Sequence, residues 1–248
     1  MSGQPRFSFV GIEPLASSNG FAFVSLNDKL DLLAIGEGSS KDIFAYLAGQ
    51  QASIVAIHAP AYLGSPHSKE NQNFSSSPPA SSYRACEFLL WQNKIPVIFT
   101  AATLKHLSAP ARRGYQLFQT LLRFGFSFPN QSPANKVLIE TCPAACYHQL
   151  ANTIPLPEDA FFGRLQRQLI LYNFHLPVQD PMAFFEEITA YKVLMGSVSL
   201  KTILLPEELN AMVIAYTAWM FHHQPEKTAV WGESSEGTII LPAQVTGV

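Results

Sequence analysis

Residues 54–60 read IVAIHAP. Ile54, Val55, Ala56 and Ile57 are β-branched or small, the composition of a strand covered on both faces. Pro60 cannot donate to a central ladder and holds Ala59 extended, so the strand stops there. His58 therefore stands where a buried strand reaches the edge of its sheet. In open sheets that carry helices, ligands gather beyond that edge. The plainer reading of the same position is a histidine hydrogen-bonded to a neighbouring loop carbonyl.

Upstream, RFSFVGIE (6–13) and FAFVSL (21–26) read as strands around the Asn19-Gly20 turn, and LDLLAIGEG (30–38) follows Asn27-Asp28 as a third. Tight turns between short strands make an antiparallel meander. A helix follows, with Ser40 as cap, Asp42 in its first turn, Ile43, Phe44 and Leu47 on one face, and Gly49 at its end. Downstream, 64–82 is polar and rich in Ser and Pro, and is expected to be a flexible loop. A helix is expected over 83–94, a short extended piece over 95–100 (IPVIFT), a helix over 111–126 and a fifth core strand over 136–141 (KVLIET). Helices over 143–151, 160–173, 182–196 and 206–222 come next, and GTIILPA (237–243) closes as a short strand. Strands 6–13, 54–58 and 136–141 are joined by crossovers and so run parallel. The expectation is an α/β chain, one domain over 1–248. Its mixed five-stranded sheet, flanked by helices, follows the ribonuclease H-like plan, with a helical insertion before the last core helix.

Of the 248 residues, 48% are hydrophobic and 14% charged, which excludes a disordered chain. A formal net charge of −2 supplies no overall basic field for nucleic acid, so any phosphate contact must be local. Three cysteines and no long apolar run near the N-terminus suggest a reducing, cytoplasmic setting. No stretch approaches the about 18 apolar residues of a membrane span. Neither a Gly-rich phosphate loop nor a G-x-S-x-G elbow is present.

The strand ends carry the polar candidates: Glu13 in GIE, His58 in AIH and Glu140 in LIE. Side by side, they would converge at one sheet edge. Asn210, just inside the helix that opens at Pro206, flanks the apolar stripe Leu209, Met212, Val213, Tyr216 and Trp219, and points either into that site or into solvent. Clustered carboxylates repel one another unless a cation sits among them. Oxygen ligands suit Mg²⁺ or Mn²⁺, and an imidazole shifts the preference toward Mn²⁺ or Zn²⁺. One metal held by Glu13, His58 and Glu140 is the expectation; two would be underprovided. Arg84 and Glu87 lie three apart on a helix, placed for an ion pair or, through Arg84, for a phosphate. Cys142, Cys146 and His148 form C-x₃-C-x-H without a second ligand pair at zinc spacing, and read as buried thiols. His222-His223 sit where a helix end offers free carbonyls.

The stretches FVGIEP (9–14), VAIHAP (55–60), YRACEFLLWQNKIPVIFT (83–100), VLIETCPAA (137–145), FEEITAYKVLMG (185–196), EELNAMVIAYTAW (207–219) and EGTIILP (236–242) together resemble the DUF429 family of predicted nucleases with a ribonuclease H-like fold. The resemblance spans nearly the whole chain. It implies Asp at the positions held here by Glu13, His58 and Asn210, and it matches at Glu140. It also implies basic residues where this chain has Glu158 and Asp159, ahead of Gly163-Arg164. Arg164 and Arg167 persist on one helix face, where they would bind substrate phosphate. Two readings follow. One is a degenerate nuclease site whose pocket binds a ligand or partner. The other is a metal-dependent phosphodiester hydrolase with a remodelled Glu/His site. The expected partners are nucleic acid or a small phosphorylated ligand.

Overall fold

The computed structural model describes residues 5–66, 80–129, 135–186 and 188–244. Its centre is a mixed seven-stranded sheet. The meander forms from β1 (Phe7–Pro14), β2 (Phe21–Leu26) and β3 (Leu32–Gly38), paired antiparallel. Helix α1 (Ser40–Ala48) crosses to β4 (Ala52–Ile57), which lies parallel to β1. The α1 cap is Ser39 rather than Ser40: its N–H and hydroxyl both donate to Asp42.

Two-residue strands β5 (Ser65–Pro66) and β6 (Ser82–Tyr83) pair antiparallel at the two ends of the segment expected to be flexible. Most of that segment, 67–79, lies outside the described residues. Helices α2 (Ala85–Gln92) and α3 (Ala109–Arg123) lead to β7 (Lys136–Glu140), parallel to β4. Helices α4 (Pro143–Ala151), α5 (Phe161–Asn173), α6 (Ala183–Glu186), α7 (Ala190–Leu194) and α8 (Pro206–His223) follow. The chain then adds β8 (Thr228–Glu233) and β9 (Gly237–Pro242). The sheet order is β3-β2-β1-β4-β7-β9-β8.

The five-stranded expectation is therefore corrected to seven. β9 joins the sheet through a single parallel pairing, Glu140 with Ile239, and β8 pairs antiparallel outside it. β8 gives little sequence signal because it is an edge strand with one face open; Val230 is 59% exposed.

Alternation along β1 and β4 sorts side chains between two cores. Phe9, Ile54 and Ala56 face α8, α4 and α2, while Val10, Ile12, Val55 and Ile57 face α1 and α3. Helix α8 is apolar nearly all round and is correspondingly buried from Leu209 to Ala218. It can lie directly on β1 because Gly11 has no side chain. A Cβ there would come within 2.1 Å of the Ala211 carbonyl oxygen and 2.4 Å of the Ala215 nitrogen. Leu165, Phe184 and Ile203 form a small separate cluster between α5 and the segment after it. Among the described residues no helix is long and apolar enough to cross a membrane.

Candidate functional site

The carboxyl ends of β1, β4 and β7 lie side by side, and a cavity of about 580 Å³ opens beyond them. Glu13, His58 and Glu140 all line it, together with Asn210 at the start of α8. Register decides what each can do. Ile12 pairs with Ile57, and Ile57 with Glu140. The row that continues from Glu13 through His58 therefore reaches Thr141, not Glu140; the His58 N–H donates to the Ile12 carbonyl at 3.0 Å and the Thr141 N–H to that of Ile57 at 3.2 Å. By alternation Glu13 and His58 leave the sheet toward α8, and Glu140 leaves it on the face of Leu138. The three strand ends thus form two separate pairs rather than one cluster.

The first pair is Glu13 with His58, whose Nδ1 lies 2.8 Å from Oε2. Glu13 is buried, and 27% of the His58 side chain remains open. Burial raises the Glu13 carboxyl above its ordinary range, against the pull of His58, and the charges of Glu158 and Glu207 add to the rise. Burial alone would lower His58. The Glu13 carboxylate and a hydrogen bond with the nearby Cys142 thiol outweigh it and hold the imidazole well above its usual 6.5. Glu13 thus both positions the imidazole and favours its charged form. Because folding raises the His58 pKa, the stabilisation it contributes is complete below about pH 6.5 and is lost as pH rises through the folded midpoint. We expect the His58 ring proton resonances to titrate above 6.5 in the native chain, and at a lower midpoint in Glu13→Gln, where desolvation acts without the Glu13 charge against it. A midpoint unchanged by that substitution would break the assigned pairing.

The second pair belongs to a buried triad. Arg84, 2% exposed, donates from Nη1 and Nη2 to the two Glu140 oxygens at 2.7 and 2.5 Å. Its Nε donates to Glu87 at 2.8 Å. Glu87, fully buried at the start of α2, also accepts from the Arg84 and Thr100 backbone N–H groups and from the Thr100 hydroxyl. Glu140 takes a third bond, from the Ala61 N–H at 2.8 Å. Arg84, expected at a phosphate, is thus bound on both sides by carboxylates, the structural ion pair in enlarged form.

Asn210 is 4% exposed and donates from Nδ2 to Glu158 at 3.1 Å; its Oδ1 has no hydrogen-bond partner among the described residues. The two expected phosphate arginines lie elsewhere. Arg164 donates to the Leu204 and Ile203 carbonyls at 2.9 and 2.7 Å. Arg167, 4% exposed, donates to those of Leu156 and Gly163 and stacks over Tyr147 at 5.3 Å. They fasten the flanking loops to α5, and neither lines the cavity.

The donor set does not fit a divalent cation as it stands. Among the described residues no three His, Cys, Asp or Glu side chains are arranged to hold a metal ion. Cys146 is buried beside Thr141 and Thr217, and burial pushes its thiol up to about 12, as it does that of Cys86. Cys142 lines the cavity, whereas His148 is not part of it. His223 pairs instead with Asp28 at 3.3 Å, far along the sheet.

Sequence reasoning did not foresee the remaining cavity wall. The extended stretch 95–100 supplies Val97, Ile98, Phe99 and Thr100, and the turn before α3 supplies His106, Leu107 and Ser108. Glu158, Asp159 and Glu207 complete the rim. Ahead of Gly163-Arg164 and in the first turn of α8, these acids carried a signal of charge without a destination.

A search of curated proteins and one of solved structures each returned no match. A family model described as "Protein of unknown function (DUF429)" matches residues 15–235. With that match covering most of its length, the chain belongs to the DUF429 family.

Proposed function

We propose that this chain keeps a ribonuclease H-like framework, as one domain over 1–248, without metal-dependent nuclease chemistry, and that its cavity is a metal-independent binding pocket. The framework reading is supported by the order β3-β2-β1-β4-β7, with β1, β4 and β7 parallel. The observation that carries the functional reading is the state of Glu140. Its oxygens accept two bonds from Arg84 and one from Ala61. A cation bound there would displace Arg84 and leave a buried guanidinium against Glu87 alone, a strongly unfavourable exchange. Glu13 is likewise already paired with His58, whose charged form it favours, and a charged imidazole there would repel a divalent ion.

The test combines melting temperature and cleavage. A cation present at a hundred times its Kd would add about 2.7 kcal/mol, roughly 5–10 °C for a chain of this size. We expect a shift below about 1 °C with Mg²⁺, Mn²⁺ or Zn²⁺. We also expect no metal-stimulated cleavage of bis(p-nitrophenyl) phosphate, RNA or DNA. Manganese-dependent cleavage that disappears in Glu13→Gln would establish the hydrolase reading instead.

A further inference from the structure

We propose that the cavity takes an organic cation: a primary ammonium or guanidinium head carried on an apolar body. The inference rests on the metal-independent pocket reading and names its ligand class.

The sign of the ligand follows from what is left over once the internal pairs are made. Glu13 is matched by His58, and Arg84 is shared between Glu87 and Glu140. Glu158, Asp159 and Glu207 remain on the rim, and none of them forms a salt bridge with a described residue. His58 and Arg84 are already committed, and His106 on the wall meets only the Thr103 hydroxyl among the described residues, so carboxylate charge dominates the mouth of the cavity. The N-terminus of α8 opposes this with about half a positive charge, but Glu207 and Glu208 already stand in its first turn. A phosphate entering here would meet acids at the rim and no free guanidinium below.

Asn210 adds a buried acceptor beside the rim. Its Nδ2 must face Glu158, because the flipped amide would set Oδ1 against a carboxylate. The unpartnered atom is therefore an acceptor, in a side chain that is 96% buried in the cavity wall. A buried acceptor left without a donor is costly, and the donor it lacks is an N–H or O–H. An ammonium or guanidinium supplies the charge that Glu158 and Glu207 call for, and its N–H meets Oδ1, itself closed off from solvent, as the Asn210 amide turns toward it.

The body of the ligand follows from the facing wall. Val97, Ile98, Phe99 and Leu107 make that side apolar, and Ile98 is 75% exposed at the mouth. About 580 Å³ accommodates a small organic molecule.

The experiment is calorimetric titration of the full chain at low ionic strength with phenethylamine and agmatine. 3-Phenylpropionate and phenyl phosphate serve as anions of similar bulk, and MnCl₂ as the metal arm. We expect saturable amine binding at least tenfold tighter than either anion. Glu158→Gln with Glu207→Gln should weaken it tenfold or more without altering the melting temperature by more than a few degrees. Asn210→Leu should weaken it as well; should that variant fail to fold, the paired acid substitutions decide the matter. The proposal is overturned if neither amine binds, if the anions bind as tightly, or if the double variant binds amines like the native chain. Manganese binding with phosphodiester cleavage would instead overturn the metal-independent reading, and amine binding can fail without it.

Discussion

Arg84→Met is expected to destabilise the fold by about 3–5 kcal/mol, the loss typical of removing one partner from a buried charge network. The methionine fills much of the same volume, so the effect isolates charge from packing. Glu87 and Glu140 are 0% and 5% exposed, and Arg84 is the sole cation between them among the described residues. Without it two carboxylates sit in low dielectric, facing only neutral donors. Urea unfolding should show a lower midpoint at an unchanged slope. Adding Glu140→Gln to Arg84→Met should recover part of the loss, because one orphaned charge disappears while Ala61 keeps an acceptor. Arg84→Lys should fall between native and methionine, since a point charge cannot reproduce the forked contact with Glu140 while also reaching Glu87. A loss below about 1 kcal/mol for Arg84→Met, the range of an exposed ion pair, would remove Arg84 as the hub of this site.

That hub shows which parts of the molecule were legible in the sequence. The Arg84–Glu87 pairing was, because three-residue spacing at the start of a helix brings the capping residue and the first turn together. Its extension to Glu140, 56 residues away, is a long-range contact with no local signature. The same division runs through the sheet. β1, β4 and β7 announce themselves as apolar runs that end in a polar residue. Their register is a property of the pairing, and a single-residue offset sends Glu140 to the opposite face from Glu13 and His58. Matching the ends GIE, AIH and LIE by their lettering suggested one convergent site, whereas pairing Ile12, Ile57 and Glu140 divides it in two. Arg164 and Arg167 illustrate the limit of spacing from another side. They do share a helix face, yet their acceptors are backbone carbonyls that sequence leaves anonymous. β8 was missed for want of burial: its alternation lies on an exposed edge, where apolar patterning is weakest.

Gly11→Ala should be about as damaging as the loss of Arg84, at about 3 kcal/mol or more, the upper end of what overpacking costs. The added Cβ would lie 2.1 Å from the Ala211 oxygen, 2.4 Å from the Ala215 nitrogen and 3.0 Å from the Ala215 Cα. All three are backbone atoms of α8, so no side-chain rotation relieves the clash. The helix must lift from β1 or the strand must bend. Gly36→Ala is the matched control, because a Cβ there meets nothing within 4 Å. On the edge strand β3 it should be neutral or stabilise by up to about 1 kcal/mol through the unfolded chain. The difference between the two alanines measures the close approach itself, free of the general effect of replacing glycine. The consequence extends to the cavity, since Ala211 follows Asn210 directly and Glu207 lies one turn before it. A lifted α8 carries the Asn210 amide and the rim carboxylate away from Glu13. In Gly11→Ala, amine affinity should therefore fall although no cavity residue has been replaced, while in Gly36→Ala it should not change. Full stability in Gly11→Ala would mean that α8 does not rest on β1 at this point, and the placement of Asn210 in the cavity wall would fall with it.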